Sequence, residues 1–256
     1  MEKSVLITGA SSGLGADFAR RYAQAGRSLI LVARRRDRME KLKTEIQLTY
    51  PVNIELLPAD LADPQQRRQV IDACLDRVDI LVNNAGFGIG QAYESVDYAK
   101  VQNLIDVNIS ALSELCHAFI PAMKEHRHGT IIYIASMAGF MAGPYMAAYY
   151  ASKAYVLSLS EALHEECLPY GVHVVAVCPG PTSTEFFQHT GNQTAPAQNV
   201  FLMGSDAVVK LAIRDGERNK AIAISGFRNK ALRGFMALVG RRIARKSVAR
   251  IQSSKK

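Results

Sequence analysis

Seven short runs rich in Val, Ile and Leu, separated by longer amphipathic stretches, constrain this chain more than any other feature of it. The runs are SVLIT, SLILVA, NIELLPAD, DILVNNAG, GTIIYIAS, VHVVAVCPG and AIAISG. Continuous apolar side chains suit strands that are covered on both faces, and the stretches between them repeat with helical periodicity. Repeated strand–helix alternation predicts an α/β fold with a doubly wound, mostly parallel sheet and helices on both faces. In such a sheet, ligands bind beyond the carboxyl ends of the strands, near the point where strand order reverses. The residues just after each run are therefore the candidates for a site.

No linker or internal repeat divides residues 1–226, which predicts one domain followed by a basic, partly helical tail over 227–256. The formal charge of +8 is local to that tail. Ten of the 31 Lys and Arg stand in 227–256, which holds no acid, so the rest of the chain carries 21 basic against 23 acidic residues, a net of −2. The body offers no footprint for nucleic acid and no zinc-finger spacing. In the tail, Leu232, Phe235, Met236, Val239 and Ile243 follow helical spacing, with Lys230, Arg233, Arg241, Arg242 and Arg245 elsewhere on the wheel. Gly234 and Gly240 weaken a single long helix. Packing on a subunit or a solvated end is the expectation, with an anionic membrane surface as the less favoured option. Only three residues precede the first apolar run, too few for a signal peptide, so a cytoplasmic protein is expected. Cys74, Cys116, Cys167 and Cys178 are scattered, as free buried thiols would be.

After the first run comes TGASSGLG, opening a helical pattern. Gly9, Gly13 and Gly15, with Ser11, Ser12 and Leu14 between them, allow a tight turn that lets the backbone approach a diphosphate. The following helix start offers free N–H groups and the positive end of its dipole. The second run ends at Ala33 and continues Arg34-Arg35-Arg36. An acid there would bind ribose hydroxyls, whereas Arg accommodates a 2′-phosphate. NADP(H) is the expected cofactor, with Arg34 as leading contact, Arg35 second and Ser12 assisting.

In AYYASK, Lys153 lies four positions after Tyr149 and three after Tyr150, so helical geometry permits either pairing. A phenol has a reference pKa of about 10, and a neighbouring ammonium would lower it towards working range for a general acid/base. The hydroxyl of Ser136, at the end of the fifth run, could hold the same reacting oxygen.

Taken in order, these motifs resemble the short-chain dehydrogenases/reductases of NADP-preferring type. The glycine pattern is joined by Asn83-Asn84-Ala85-Gly86 after the fourth run, Asn108 in DVNIS, Ser136, Tyr149 with Lys153, and Pro179-Gly180 after the sixth run. The resemblance runs from about Val5 to Gly226. It implies a Rossmann-type, seven-stranded parallel sheet and an oxidoreductase acting on CH–OH groups, homodimeric or homotetrameric. A non-catalytic NADP(H)-binding regulator is the contrasting possibility. The resemblance also selects Tyr149 as the acid/base, gives Lys153 the nicotinamide ribose as well, and gives Asn108 a relay water. By the same resemblance Asp60 and Leu61 flank the adenine, Asn84 to Gly86 line the ribose, and Pro179, Gly180, Thr182 and Thr184 stand near the carboxamide and diphosphate. No metal is implied. Phe87, Ile89, Met137, Phe140, Tyr145, Phe186, Phe187 and Met203 are candidate walls for a small, hydrophobic carbonyl or alcohol substrate. Residues 183–199 form either a substrate lid or a surface loop.

Overall fold

The computed structural model describes residues 3–182 and 203–253. Each apolar run contains one strand: β1 (Ser4–Thr8), β2 (Ser28–Ala33), β3 (Ile54–Pro58), β4 (Val78–Asn83), β5 (Gly129–Ile134), β6 (Val172–Cys178) and β7 (Ile222–Ile224). They form one sheet in the order β3-β2-β1-β4-β5-β6-β7, and every neighbouring pair is parallel. Strand order reverses between β1 and β4, and that gap marks where a ligand crevice belongs.

The helices are α1 (Gly13–Gln24), α2 (Arg36–Gln47), α3 (Pro64–Cys74), α4 (Tyr98–Ile105), α5 (Leu112–Glu125), α6 (Ala147–Cys167), α7 (Ser205–Glu217) and α8 (Phe227–Ser253). Successive strand side chains point to opposite faces, and β1 divides accordingly. Leu6 joins Val70 and Ile71 of α3, Leu115 and Phe119 of α5 and Val156 of α6 on one side. Val5 and Ile7 join Phe18 of α1, Met39 of α2 and Val208 of α7 on the other. Each such buried side chain contributes about 1.5–3 kcal/mol, so the apolar runs hold both helical layers against the sheet. Local signals fix where helices begin: α3 starts at Pro64 behind Asp63, whose carboxylate accepts from the N–H groups of Gln65 and Gln66.

The tail departs from the body less cleanly than its composition suggests. Asn229, in the first turn of α8, is buried and donates to the Ser225 carbonyl at 2.6 Å. It also fills the space over Gly180, where an added Cβ would meet its amide nitrogen at 2.6 Å. Gly240 interrupts α8 with φ 72° and ψ 160°, the left-handed backbone that glycine tolerates. Gly234 lies within the helix. The expected lid, 183–199, lies outside the described residues, together with Thr184, Phe186 and Phe187.

Candidate active site

The carboxyl ends of β1 and β4 are stapled together. Thr8 Oγ1 donates to the Val82 carbonyl at 3.2 Å and accepts from the N–H groups of Asn84 and Ala85, both at 3.0 Å. The Asn84 amide donates back to the carbonyls of Thr8 (2.9 Å) and Gly9 (3.2 Å). The Asn84 side chain thus braces the glycine turn, at the start of the segment that the resemblance sets along the ribose. Gly9 has φ +65°, and a Cβ on Gly15 would sit 2.3 Å from the Gly9 carbonyl oxygen. Only glycine permits this closeness. At the start of α1 no side chain caps the helix at Ser12. Leu14 packs into the core.

The hydroxyls of Ser11 and Ser12 instead accept from Arg35, whose Nη2 lies 3.0 and 2.9 Å from them. Arg34 is exposed and reaches only to Asp60, at 4.0 Å. The guanidinium folded over the glycine turn is therefore that of Arg35, the arginine ranked second from the sequence. Asp60 accepts from the Ala62 N–H at 3.0 Å, and Leu61 is buried beside it.

Beyond β5, Ser136 opens a short 3-10 turn, Met137–Phe140, and its hydroxyl accepts from the Ala138 N–H at 3.1 Å. The Pro179 carbonyl accepts from the Met137 N–H at 3.0 Å, which ties this turn to the end of β6. Tyr149 and Lys153, one turn apart on α6, are both buried under it. Ser136 hydrogen-bonds the Tyr149 side chain. Lys153 Nζ donates to the Ile134 carbonyl at 2.6 Å and lies 5.9 Å from the centre of the Tyr149 ring.

Asn108 sits in a π-helical turn, Asp106–Ala111, between α4 and α5, a widened geometry common at functional sites. Its Oδ1 accepts from the Phe87 N–H at 3.1 Å. Its Nδ2 donates to the Phe87 carbonyl at 2.9 Å and to Ser152 Oγ at 3.0 Å. Ser152 in turn donates to the main-chain carbonyl of Tyr149 at 2.7 Å. Sequence reasoning passed over Ser152, although its place three residues after Tyr149 puts it on the same helix face. A Cβ on Gly86 would come within 3.1 Å of Asn108 Oδ1 and 3.6 Å of Lys153 Nζ, so the Asn83–Gly86 loop passes directly over both.

Electrostatics differ from the expected pairing. Burial pushes the Tyr149 phenol up to about 12, with the Ser136 hydrogen bond opposing and Tyr150 adding to the rise. Burial also brings Lys153 down to about 8, against the influence of Cys178. The ammonium turns towards the Ile134 carbonyl. Desolvation is the largest influence on both groups.

Residues 3–195 match the family model described as short chain dehydrogenase. The chain belongs to the short-chain dehydrogenase family. It is 38% identical over 207 residues to sulfoacetaldehyde reductase 2 of Chromohalobacter salexigens, covering 78% of this chain and 81% of that one. It is 33% identical over 181 residues to the 7beta-hydroxysteroid dehydrogenase of Clostridium sardiniense, covering 70% and 69%. A short-chain dehydrogenase from Sphingobium yanoikuyae, solved in complex with NADPH, superposes with a TM-score of 0.84 at 35% identity, covering 91% of this chain and 92% of that one.

Around the phenol of this short-chain dehydrogenase, Leu104, Ala138 and Met146 form a small apolar cluster with Phe87 and Ile89 packed on it. Met137 and Phe140 belong instead to the core on the α5–α6 side, and Met203 to the core on the α1–α7 side. Tyr150 is a packing residue: its ring meets Tyr149 edge-on at 6.0 Å and occupies the space a Cβ on Gly143 would need. Thr182 is buried and donates to the Gly180 carbonyl at 3.0 Å. Among the described residues, no group of three or more His, Cys, Asp or Glu could hold a metal ion.

Proposed function

We propose that this short-chain dehydrogenase interconverts a carbonyl and a secondary alcohol using NADP(H), with Tyr149 as the general acid/base. The carrying observation is the Tyr149 phenol, buried at the carboxyl end of the sheet, hydrogen-bonded by Ser136 and one helical turn from Lys153. A pure cofactor binder has no need of that group.

The glycine turn fits a dinucleotide, because a Cβ is excluded at Gly9 and Gly15 and the start of α1 has no side-chain cap. Gly9, Ser11, Ser12, Gly13, Leu14 and Gly15 would hold the diphosphate through their backbone. Arg35, aided by Arg34, would hold the 2′-phosphate. Asp60 and Leu61 would meet the adenine, Asn84, Ala85 and Gly86 the ribose, and Pro179, Gly180, Thr182 and Thr184 the nicotinamide end. When bound, the nicotinamide supplies or accepts the hydride.

The chain's own residues manage the proton. A phenol near 12 is protonated at neutral pH, ready to donate to a carbonyl oxygen as charge develops there. Ser136 donates a hydrogen bond to the same oxygen. Lys153 offsets the negative charge left on Tyr149 Oη. Asn108 holds the Phe87 loop to α6 and keeps one Oδ1 lone pair for the relay water implied by the family. The apolar cluster at Phe87 and Ile89 favours a hydrophobic carbonyl compound, although the relatives' names range from a sulfonated aldehyde to a steroid.

The test is Tyr149→Phe in NADPH-dependent reduction of a panel of hydrophobic ketones and aldehydes. Turnover should drop about 10²–10⁴-fold, while NADPH binding, followed by fluorescence, stays near the parent's. A variant that turns over like the parent removes the proposed role.

A further inference from the structure

The first turns of α8 carry two opposite faces. Asn229, Arg233 and Met236 follow one another by four and three positions and so share a side of the helix. That side is turned to the body: Asn229 is buried over Gly180, and the Arg233 guanidinium lies 5.2 Å from the centre of the Phe140 ring. Phe227, Ala231, Phe235 and Leu238 follow by four, four and three positions and share the other side. There Phe227 is 84%, Phe235 58% and Leu238 87% exposed. Two phenyl rings and a leucine on one outward stripe mark an interaction surface.

Charge selects the partner. Lys230 is exposed on the same helical segment as the stripe, and beyond the break at Gly240 Arg242, Arg245 and Lys246 are exposed as well. Residues 227–256 contain ten basic residues and no acid, and the rest of the chain has a net charge of only −2. Two copies meeting through this face would bring cation against cation with no carboxylate in either tail to pair. An anionic lipid surface satisfies both features, phosphate headgroups meeting the ammonium and guanidinium groups and the acyl boundary receiving the rings. Among the described residues no helix is long and apolar enough to cross a membrane, so contact would run along the surface.

We propose that α8 lays its Phe227–Leu238 face on an anionic lipid surface. This reverses the sequence-based preference for subunit packing. Because α8 is pinned at Gly180 and Phe140, beside the turn opened by Ser136, docking would hold the mouth of the catalytic cleft close to the lipid.

Flotation of the full chain with phosphatidylglycerol-containing vesicles, compared with pure phosphatidylcholine vesicles, tests it. The parent should float with the anionic vesicles only, and less so as salt is raised. Phe235→Ser/Leu238→Ser should stay at the bottom of the gradient while melting like the parent. Arg242→Gln/Lys246→Gln, which leaves the apolar stripe intact, should weaken vesicle partitioning by about fivefold per cation, roughly 30-fold for the pair. A parent that fails to float, that floats equally with both vesicle types, or that floats unchanged in either double variant overturns the proposal. So does a parent whose oligomer, measured by light scattering without lipid, falls apart in the Phe235→Ser/Leu238→Ser variant, since the stripe would then join copies of the chain.

Discussion

Lys153 is a cation held out of water at a cost to stability. The unfolded side chain keeps its proton up to about 10.5, whereas the buried one loses it near 8. Between those values the unfolded chain binds more protons, so this residue makes stability climb with pH. Lys153→Met removes the group. As pH falls from 10.5 to 8, the difference in stability between variant and parent should move in the variant's favour by roughly 2–4 kcal/mol. That gap is read without cofactor, from urea unfolding across the range. A gap that ignores pH would show that the ammonium is not desolvated. That Tyr149 and Lys153 stand one turn apart on a helix was legible in the sequence, where spacing admitted Tyr150 as well and the ordered motifs chose Tyr149. The direction of their shifts was not, because burial and the Ile134 carbonyl are properties of the assembled fold. The fold of Arg35 was hidden for the same reason: a run of arginines does not reveal which one turns back over Ser11 and Ser12.

The helices show how far pattern reading extends and where it stops. Seven strands were visible because continuous Val, Ile and Leu have few other uses, whereas a weak point in α8 was visible without its place: Gly234 and Gly240 were equal candidates, and only Gly240 takes a positive φ. The π-helical turn that presents Asn108 has no such mark, since its widening comes from one extra residue in the ladder and not from composition. The anchoring of α8 was equally hidden, because a lone polar residue in a basic tail gives no sign of being buried. Asn229→Ala would leave the Ser225 carbonyl without this donor and a void over Gly180. The expected loss is about 1–3 kcal/mol, with earlier cleavage of α8 in limited proteolysis. Unchanged protection would mean that other contacts hold the helix.

For the molecule as a whole, strand order places the glycine turn, Arg35 and the Tyr149 face along one edge of the sheet. The family and the parallel fold followed from motifs taken in order, while the identity of the substrate did not, because walls built from loops carry little sequence pattern. Cofactor choice can be tested on the intact protein. A ligand at 100 times its Kd stabilises by about 2.7 kcal/mol, roughly 5–10 °C in a domain of this size. Given Arg35 at the cradle, NADPH should raise the melting temperature more than NADH at equal concentration, and the opposite order would defeat the NADP(H) assignment. The sheet order also bears on biosynthesis. β3, β2, β1 and β4, neighbours in space, all lie before Asn84 in the chain, so a ribosome has delivered four of the seven strands and the glycine turn before Ser136 or Tyr149 exists. The nascent chain can pair those strands first and receive the proposed acid/base residues afterwards.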